Sequence, residues 1–388
     1  MAMLQPQQSR RSTLLSLLSE RRQDVIPATT YGVDRYSHPW MAADPSFARL
    51  LDYTAAHEHI FALHLSYYAS FGATDVLAGG DPAAVARHSY RRGDATHTEY
   101  VLHTPAGDLT AHYTENDGVH TVWRHDMLIK SDDDMDRFLA APWVPASPDV
   151  VAFERTRQAL GERGLMEIEM PDPLCLVVEN MAYEDFMVRT VQTPEKIYAL
   201  MDRMAELLYA WLEARLRAGF GPVFRIFGPE YAAPPVNSPA FFRKAVLSYD
   251  KPLVDLIHRY GGYVRYHCHG PIRRVLDGFL KLGVDMIDPC EAPPSGDITL
   301  RELADCVGRD LILMGNIQLD DIERADPEKI DALVADAVDA VGGRAPFILC
   351  PTAFPFSSPL PPVTEGNLMR FLDAAERYGA RSFLGIGY

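Results

Sequence analysis

The chain has 388 residues, of which 47% are hydrophobic and 23% are charged, which is enough for a sizeable core in one large α/β domain or two smaller ones. Its formal net charge of −16 at pH 7 argues against a nucleic-acid partner and against a polybasic membrane surface, because both need clustered positive charge. No apolar run reaches about 18 residues, so we expect no transmembrane helix.

The five cysteines are odd in number and widely spaced along the chain. This pattern disfavours a disulfide framework and favours a reducing, cytoplasmic environment. Because no CxxC pair is present, a zinc-ribbon site is excluded, and any metal site must be assembled from distant segments. The cysteines are Cys175, Cys268, Cys290, Cys306 and Cys350.

The N-terminal part of the chain predicts helices and two short strands. Residues 11–22 have an amphipathic pattern that predicts a helix, so that about residues 1–22 form an N-terminal helical extension. The short apolar run Asp24–Ala28 predicts a first strand. A helical pattern then extends over Pro45–Phe71, and Gly72–Leu77 predicts a second strand.

The region from about residue 98 to 130 has a different pattern. Polar and apolar residues alternate in short runs that turn residues separate, which predicts an antiparallel β meander. We interpret it as an insertion in an otherwise parallel α/β chain that forms a single domain over residues 1–388. The runs are Glu99–His103, Leu109–Tyr113 and His120–Arg124.

From about residue 160 onward, a short apolar run followed by a helical pattern recurs six times. With the two earlier strands, these units give eight parallel strands between helices, which predicts a (β/α)8 TIM barrel. A doubly wound open sheet is the alternative, but no GxGxxG turn follows the first strand. The six strands are Met166–Met170, Val223–Phe227, Tyr263–His269, Asp285–Asp288, Leu311–Met314 and Phe347–Cys350.

Two histidines lie at the end of the predicted strand Tyr263–His269. Because alternate side chains of a strand share a face, His267 and His269 point one way and Cys268 points toward the helix layer. The active site of a TIM barrel lies at the carboxyl ends of its strands. The two imidazoles therefore suggest half of a metal site.

Cys350 ends the last predicted strand and is the candidate for a third ligand. Histidine nitrogen and cysteine thiolate are preferred ligands of zinc, and three of them leave an open fourth position, as a catalytic site requires. Glu230 or Glu291, at two other strand ends, could fill that position until substrate displaces it. The alternative is that His267 is a hydrogen-bonded core histidine and Cys350 a small buried hydrophobe.

Motifs along nearly the whole chain resemble the uroporphyrinogen decarboxylase superfamily, and in particular its cobalamin-dependent methyltransferase branch. Each motif is weak alone, but their order and spacing make the resemblance specific. It implies a (β/α)8 barrel, in agreement with the strand count. The motifs are Arg10–Leu18 with Asp24–Pro27, Gly72–Leu77, Gly228–Glu230 with Asn237–Phe242, Gly283–Asp288 and Met314–Ile317.

The zinc methyltransferases of this superfamily carry His-x-Cys-Gly at the end of a barrel strand and a later Cys near the last strand. Here His267 takes the first ligand position, and His269 stands where the family usually has Cys. Cys350 takes the place of the later Cys. The resemblance implies a Zn²⁺ ion bound by these three residues, with Glu291 or Glu230 as a displaceable fourth ligand.

The decarboxylases of the superfamily differ from this chain at the same places. They carry Arg-Gln-Ala-Gly-Arg after the first strand to hold substrate carboxylates, whereas Ala28–Arg35 offers only Arg35. Their last strand ends in a histidine, where this chain has Cys350. Asp75 does match the aspartate of their second strand, and we interpret it as a polar pocket residue that could also act as a general base.

The resemblance implies transfer of a methyl group between a corrinoid (cobalamin), held by a carrier protein, and a small-molecule acceptor, with a thiol as the favoured candidate. Zinc would generate the thiolate at neutral pH. Glu230 and Asp75 are the candidate catalytic residues beside the metal ligands. The rivals are a metal-free lyase similar to uroporphyrinogen decarboxylase and a non-catalytic tetrapyrrole- or corrinoid-binding protein. The direction of transfer and a homodimeric state are left open.

Overall fold

The computed structural model describes residues 9–65, 79–81 and 83–380. The strands in these residues are β1 Ile60–Leu65, β2 Val85–Arg92, β3 Ala95–Leu102, β4 Leu109–Asn116, β5 Val122–Asp126, β6 Gly164–Pro171, β7 Val223–Phe227, β8 Tyr263–His267, β9 Met286–Asp288, β10 Ile312–Ile317 and β11 Phe347–Pro351. The helices are α1 Arg10–Glu20, α2 Pro39–Ala43, α3 Ala48–His57, α4 Asp132–Leu139, α5 Val150–Leu160, α6 Pro173–Val178, α7 Tyr183–Gln192, α8 Pro194–Arg217, α9 Pro239–Phe242, α10 Ser248–Arg259, α11 Leu276–Leu282, α12 Leu300–Val307, α13 Leu319–Arg324, α14 Pro327–Val341 and α15 Pro362–Gly379.

A parallel sheet organises the fold, and within the described residues it has seven strands in the order β1-β6-β7-β8-β9-β10-β11. The six strands predicted after residue 160 are all present and each is followed by helix. Their side chains are almost all buried, because the sheet is covered on both faces, as near-continuous apolar runs require. The fold is therefore α/β and resembles a TIM barrel.

A short segment around Ala28 lies between the two edge strands of this sheet. The N–H of Thr29 donates to the carbonyl of Leu349 on β11 at 3.0 Å, and the N–H of His59, next to β1, donates to the carbonyl of Ala28 at 2.8 Å. The predicted first strand Asp24–Ala28 is thus reduced to a single bridge at Ala28. This bridge brings the two edges of the curled sheet together.

The helix predicted over Pro45–Phe71 is wrong in its second half. Helix α3 ends at His57, and the apolar run that follows forms β1. The buried carboxylate of Glu58 accepts hydrogen bonds from Thr29 and Thr30, which fixes the chain in an extended conformation at this point. The predicted second strand Gly72–Leu77, with Asp75, lies outside the described residues.

A separate antiparallel sheet has the order β2-β3-β4-β5. The predicted insertion is confirmed, but it begins at Val85 rather than near residue 98. Strand β2 was not predicted because its sequence, Val-Ala-Arg-His-Ser-Tyr-Arg-Arg, is polar, and its side chains are exposed apart from Val85. It is an edge strand, held by pairing with β3 rather than by an apolar face.

The predicted N-terminal helix is confirmed as α1, whose Leu14, Leu17 and Leu18 are buried. They belong to the same apolar cluster as Val223 and Met286, which are the first residues of β7 and β9. Helix α1 therefore closes the amino ends of the parallel strands. None of the described helices is both long and apolar enough to cross a membrane.

Candidate active site

The parallel strands place charged side chains inside the barrel near its carboxyl end. Val223 and Met286 belong to the inner cluster, so the residues two positions further along β7 and β9, Arg225 and Asp288, face inward as well. Arg265 on β8 is the register partner of Arg225. Such charges are rarely buried unless they are paired.

These inward charges form a paired network. Arg265 binds both carboxylate oxygens of Asp288, at 2.8 and 2.9 Å, and its third guanidinium contact is with Glu167 at 2.9 Å. Arg225 pairs with Glu169 in the same way. The pairing offsets the cost of removing the five charges from water, so the network is a rigid floor for whatever binds above it.

His267 is attached to this network and is only 5% exposed. Its Nδ1 atom lies 2.8 Å from Oδ2 of Asp288 and 3.3 Å from the hydroxyl of Tyr31. Burial, together with the positive charge of Arg225, lowers the pKa of His267 to about 3, so the ring is neutral at pH 7. Because Asp288 is a carboxylate, Nδ1 carries the proton and Nε2 keeps its lone pair.

Tyr31 holds the other side of this arrangement. Nη2 of Arg225 donates to its hydroxyl at 2.5 Å, and the guanidinium of Arg265 lies over its ring at 4.9 Å from the centroid. The ring therefore separates the two arginines and gives each a favourable contact. This fixes the position of the Tyr31 hydroxyl next to His267.

His269 lies beside His267, as the strand alternation predicted. The two ring centroids are 4.5 Å apart, and the rings are nearly perpendicular at 89°. Nδ1 of His269 is 3.2 Å from Oε2 of Glu291, which also accepts the N–H of Gly270 at 2.8 Å. Burial acts to lower the pKa of His269, but the hydrogen bond and charge of Glu291 outweigh it and raise this pKa above its usual value.

Glu230 follows β7 in the short helical turn Pro229–Ala232. Its carboxylate accepts the N–H of Gly228 at 3.1 Å. Burial raises the pKa of Glu230, and the positive charge of His269 opposes that rise. Glu230 thus lies within electrostatic reach of His269, as Glu291 does by direct contact.

Cys350 lies inside the barrel and is only 1% exposed. Burial raises the pKa of its thiol well above the usual range, although the charge of Arg265 opposes the rise. In the part of the chain that the structure describes, no group of three or more His, Cys, Asp or Glu side chains is set to hold a metal ion. The predicted three-ligand set is therefore not preassembled around the two histidines.

Cys268 and Asp75 are the remaining residues that the sequence prediction placed at strand ends. Cys268 packs in the outer apolar cluster between sheet and helices, together with Val264 and Tyr266, as its place on the strand predicted. Asp75 lies outside the described residues, so its role as a pocket residue stays a prediction.

The sequence prediction did not include Arg225 or Arg265, nor any contact of Tyr31 with His267. The signal for the arginines is present, because each interrupts a short apolar strand at an inward position. A lone charge in such a strand requires a buried partner, which other strands of the barrel can supply. Tyr31 has no comparable signal, since it comes from a loop.

Residues 155–378, more than half of the chain, match the family model described as uroporphyrinogen decarboxylase (URO-D). The chain belongs to this family. The superfamily resemblance inferred from the sequence motifs is thereby confirmed. The comparison with curated proteins found no match.

Among solved structures, the protein is similar to a methyltransferase from Methanosarcina mazei, with a TM-score of 0.63 and 14% sequence identity over 96% of this chain and 99% of that one. At this identity the likeness shows a shared fold and no more. A D-psicose 3-epimerase from Clostridium cellulolyticum H10 has a TM-score of 0.37 and 8% identity, covering 61% of this chain and 85% of that one.

Proposed function

We propose that this protein is a methyltransferase that moves a methyl group between a corrinoid on a carrier protein and a small acceptor, for which a thiol is the favoured candidate. The observation that carries the proposal is the state of His267. Its ring is neutral, its Nδ1–H is bound to Asp288, and its Nε2 atom keeps a lone pair. Histidines that bind metals have this carboxylate partner on the second ring nitrogen. The similarity to a structure titled as a methyltransferase supports the same reading.

The donor chemistry of the site fits zinc at the two histidines. His267 offers Nε2, and His269 is adjacent with a carboxylate of Glu291 on its Nδ1. Cys350 would complete the set only if its thiol loses a proton that burial now holds and its side chain comes to the histidines. Zinc, when bound, would lower the pKa of an acceptor thiol so that the thiolate forms at neutral pH.

The residues of the chain would orient this chemistry. Asp288 holds the proton on Nδ1 of His267, and Arg265 keeps Asp288 anionic by binding both of its oxygens. Glu291 holds the ring of His269. Glu230, whose pKa burial raises, would accept or return the proton of an incoming thiol. Each of these roles is to position a group before the acceptor arrives.

Aromatic side chains at the carboxyl end offer a face for the flat corrinoid. The loop Tyr31–Trp40 and the segment Phe354–Phe356 after β11 pack together through His38 and Phe354, whose ring centroids are 4.3 Å apart. Phe354 also contacts Phe356 at 4.6 Å. We propose that the carrier protein docks on this side of the barrel.

The metal-free lyase remains the second candidate, favoured by the lack of a preassembled three-ligand group in the described residues. A substrate with several carboxylates would need free cationic partners. Arg225 and Arg265, the arginines inside the barrel, are already bound to Glu169, Glu167 and Asp288. The geometry therefore supports this candidate less well.

Metal content separates the two. We expect the purified protein to contain about one equivalent of zinc, and the His267→Ala variant to contain little. His57→Ala, which changes a surface histidine bonded to Glu376, is the matched control and should leave the zinc content unchanged. Less than about half an equivalent of zinc, equal in all three proteins, would refute the zinc site.

Methyl transfer itself is tested with free methylcobalamin and a set of small thiols, by following the absorbance change of the corrinoid. We expect turnover that a chelator stops and added zinc restores, and that is absent in His267→Ala. Turnover that is insensitive to chelation would leave the methyltransferase assignment in place and remove zinc from it. If the protein transfers no methyl group but decarboxylates a carboxylated porphyrinogen, the lyase is favoured.

A further inference from the structure

Three histidines from three adjacent strands lie side by side on the inserted sheet. They are His97 on β3, His112 on β4 and His125 on β5, and they continue from Tyr90 on β2. The opposite face of the sheet carries buried apolar residues such as Tyr100, so the histidines are on the face turned to solvent. We call these four residues, three histidines and the tyrosine that continues them, the imidazole row.

The row is regular. Tyr90 and His97 stack with centroids 5.3 Å apart and an angle of 7° between the rings, and His97 and His112 stack at 5.2 Å and 9°. His125 continues the row at 5.3 Å from His112. Strand pairing sets this spacing, since neighbouring strands lie about 4.8 Å apart.

Two ring nitrogens of the row are hydrogen-bonded to each other. Nδ1 of His97 is 3.0 Å from Nε2 of His112, so these two rings share one proton in a hydrogen bond. Nε2 of His125 is instead bound to the hydroxyl of Thr114 at 2.7 Å. Two imidazole nitrogens thus face each other across 3.0 Å on the sheet, and the nitrogen of His125 is engaged elsewhere.

The separation of these two nitrogens suits a divalent transition metal that binds in place of the shared proton. Metal–imidazole bonds of about 2.0–2.1 Å put two neighbouring ligand nitrogens about 3 Å apart, which is the separation seen here. Imidazole suits zinc, copper and nickel. We propose that His97 and His112 form a surface site for a divalent transition-metal cation, with the two nitrogens as its protein ligands and water at the remaining positions.

Charges of both signs lie around the row. Glu99 on β3 and Asp126 on β5 are the register partners of His112, and both are carboxylates. Asp126 also pairs with Nζ of Lys130, at 3.1 Å, and the positive charge of Arg92 acts on His97. A site with two protein ligands agrees with the finding that the described residues contain no group of three or more such side chains set to hold a metal.

The site is tested with Ni²⁺ alone, on protein that carries no polyhistidine tag. Calorimetric titration is done on the His267→Ala variant, so that the histidine pair of the barrel is no longer complete. We expect one nickel equivalent to bind, and His112→Asn in the same background to weaken binding by at least about tenfold. His103→Asn is the matched control, because this exposed histidine lies at the end of β3 and is bonded to Asp108.

Electron paramagnetic resonance of bound Cu²⁺ supplies a measurement that needs no change within the row. The proposal predicts hyperfine coupling to two imidazole nitrogens in the His267→Ala protein. The proposal is overturned if His112→Asn binds Ni²⁺ as tightly as its parent, if His103→Asn weakens binding equally, or if the copper spectrum shows fewer than two nitrogens. None of these outcomes depends on whether the barrel catalyses methyl transfer.

Discussion

The barrel and the inserted sheet both bring histidine rings together, but the rings are hydrogen-bonded to different kinds of partner. In the barrel, Nδ1 of His267 is bound to a carboxylate of a buried ion network. On the sheet, His97 is bound to another imidazole, His112, on a face turned to solvent. The comparison teaches that the residue type alone does not define a site. In the barrel, the carboxylate bound to Nδ1 fixes the ring of His267. On the sheet, the rings of His97 and His112 share a proton instead.

The largest difference should appear when the carboxylate partner is changed. Asp288→Asn removes the charge that faces both Arg265 and His267, and we expect it to lower the free energy of unfolding by about 3–5 kcal/mol, since a buried guanidinium loses its main partner. Denaturant unfolding measures this. Asp277→Asn, which breaks an exposed pair with Lys281, is the control and should cost at most about 1 kcal/mol. Similar losses in both variants would show that the network is not a special feature.

Low pH should also destabilise the protein through Asp288 of the barrel network. The pKa of Asp288 is well below its usual value: burial alone would raise it, but Arg265 and His267 outweigh burial. For a carboxyl group with a depressed pKa in the folded state, its stabilisation is present above the unfolded pKa of about 3.9 and is lost as the pH falls from there. Unfolding midpoints between about pH 5 and pH 2.5 should therefore fall more steeply for the natural chain than for Asp288→Asn. Parallel curves would contradict this assignment.

The smallest effect is expected on the sheet. His97→Phe keeps a flat ring in the row but removes the nitrogen that binds His112. Because these rings are accessible to water, the lost hydrogen bond is replaced by bonds to solvent, and the unfolding midpoint should not change measurably. A clear loss of stability, seen in the same denaturant assay, would mean that the row holds the sheet together rather than offering nitrogens to a metal.

Much of the fold could be predicted from the sequence, because the strands after residue 160 are apolar runs that only a covered sheet explains. The sequence predicts helix where strand β1 forms, since Ile60–Leu65 continues directly from an amphipathic helical pattern. The chain leaves the helix because Glu58 is bound in an extended conformation by Thr29 and Thr30, which lie far from it in the sequence but in direct contact with its carboxyl group. Strand β2 carries no apolar pattern at all, so only its partner strand defines it.

At the site, local alternation predicted what it can determine. It put His267 and His269 on one face and Cys268 on the other, and the structure confirms both. It could not determine how the barrel interior is filled. Arg265 and Asp288, whose charges act on Cys350, lie on β8 and β9, far from Cys350 in the sequence, and their effect on it depends on three-dimensional packing. The third predicted ligand is therefore the part that strand periodicity could not resolve.

Helix α1, whose leucines close the amino ends of the strands, has a consequence for the order of events in the proposed reaction. With that end closed, both reactants reach the histidines through the opposite opening. A carrier protein docked there would cover the path of a small molecule. The acceptor would then have to enter before the carrier binds, and the methylated product would leave only after the carrier departs.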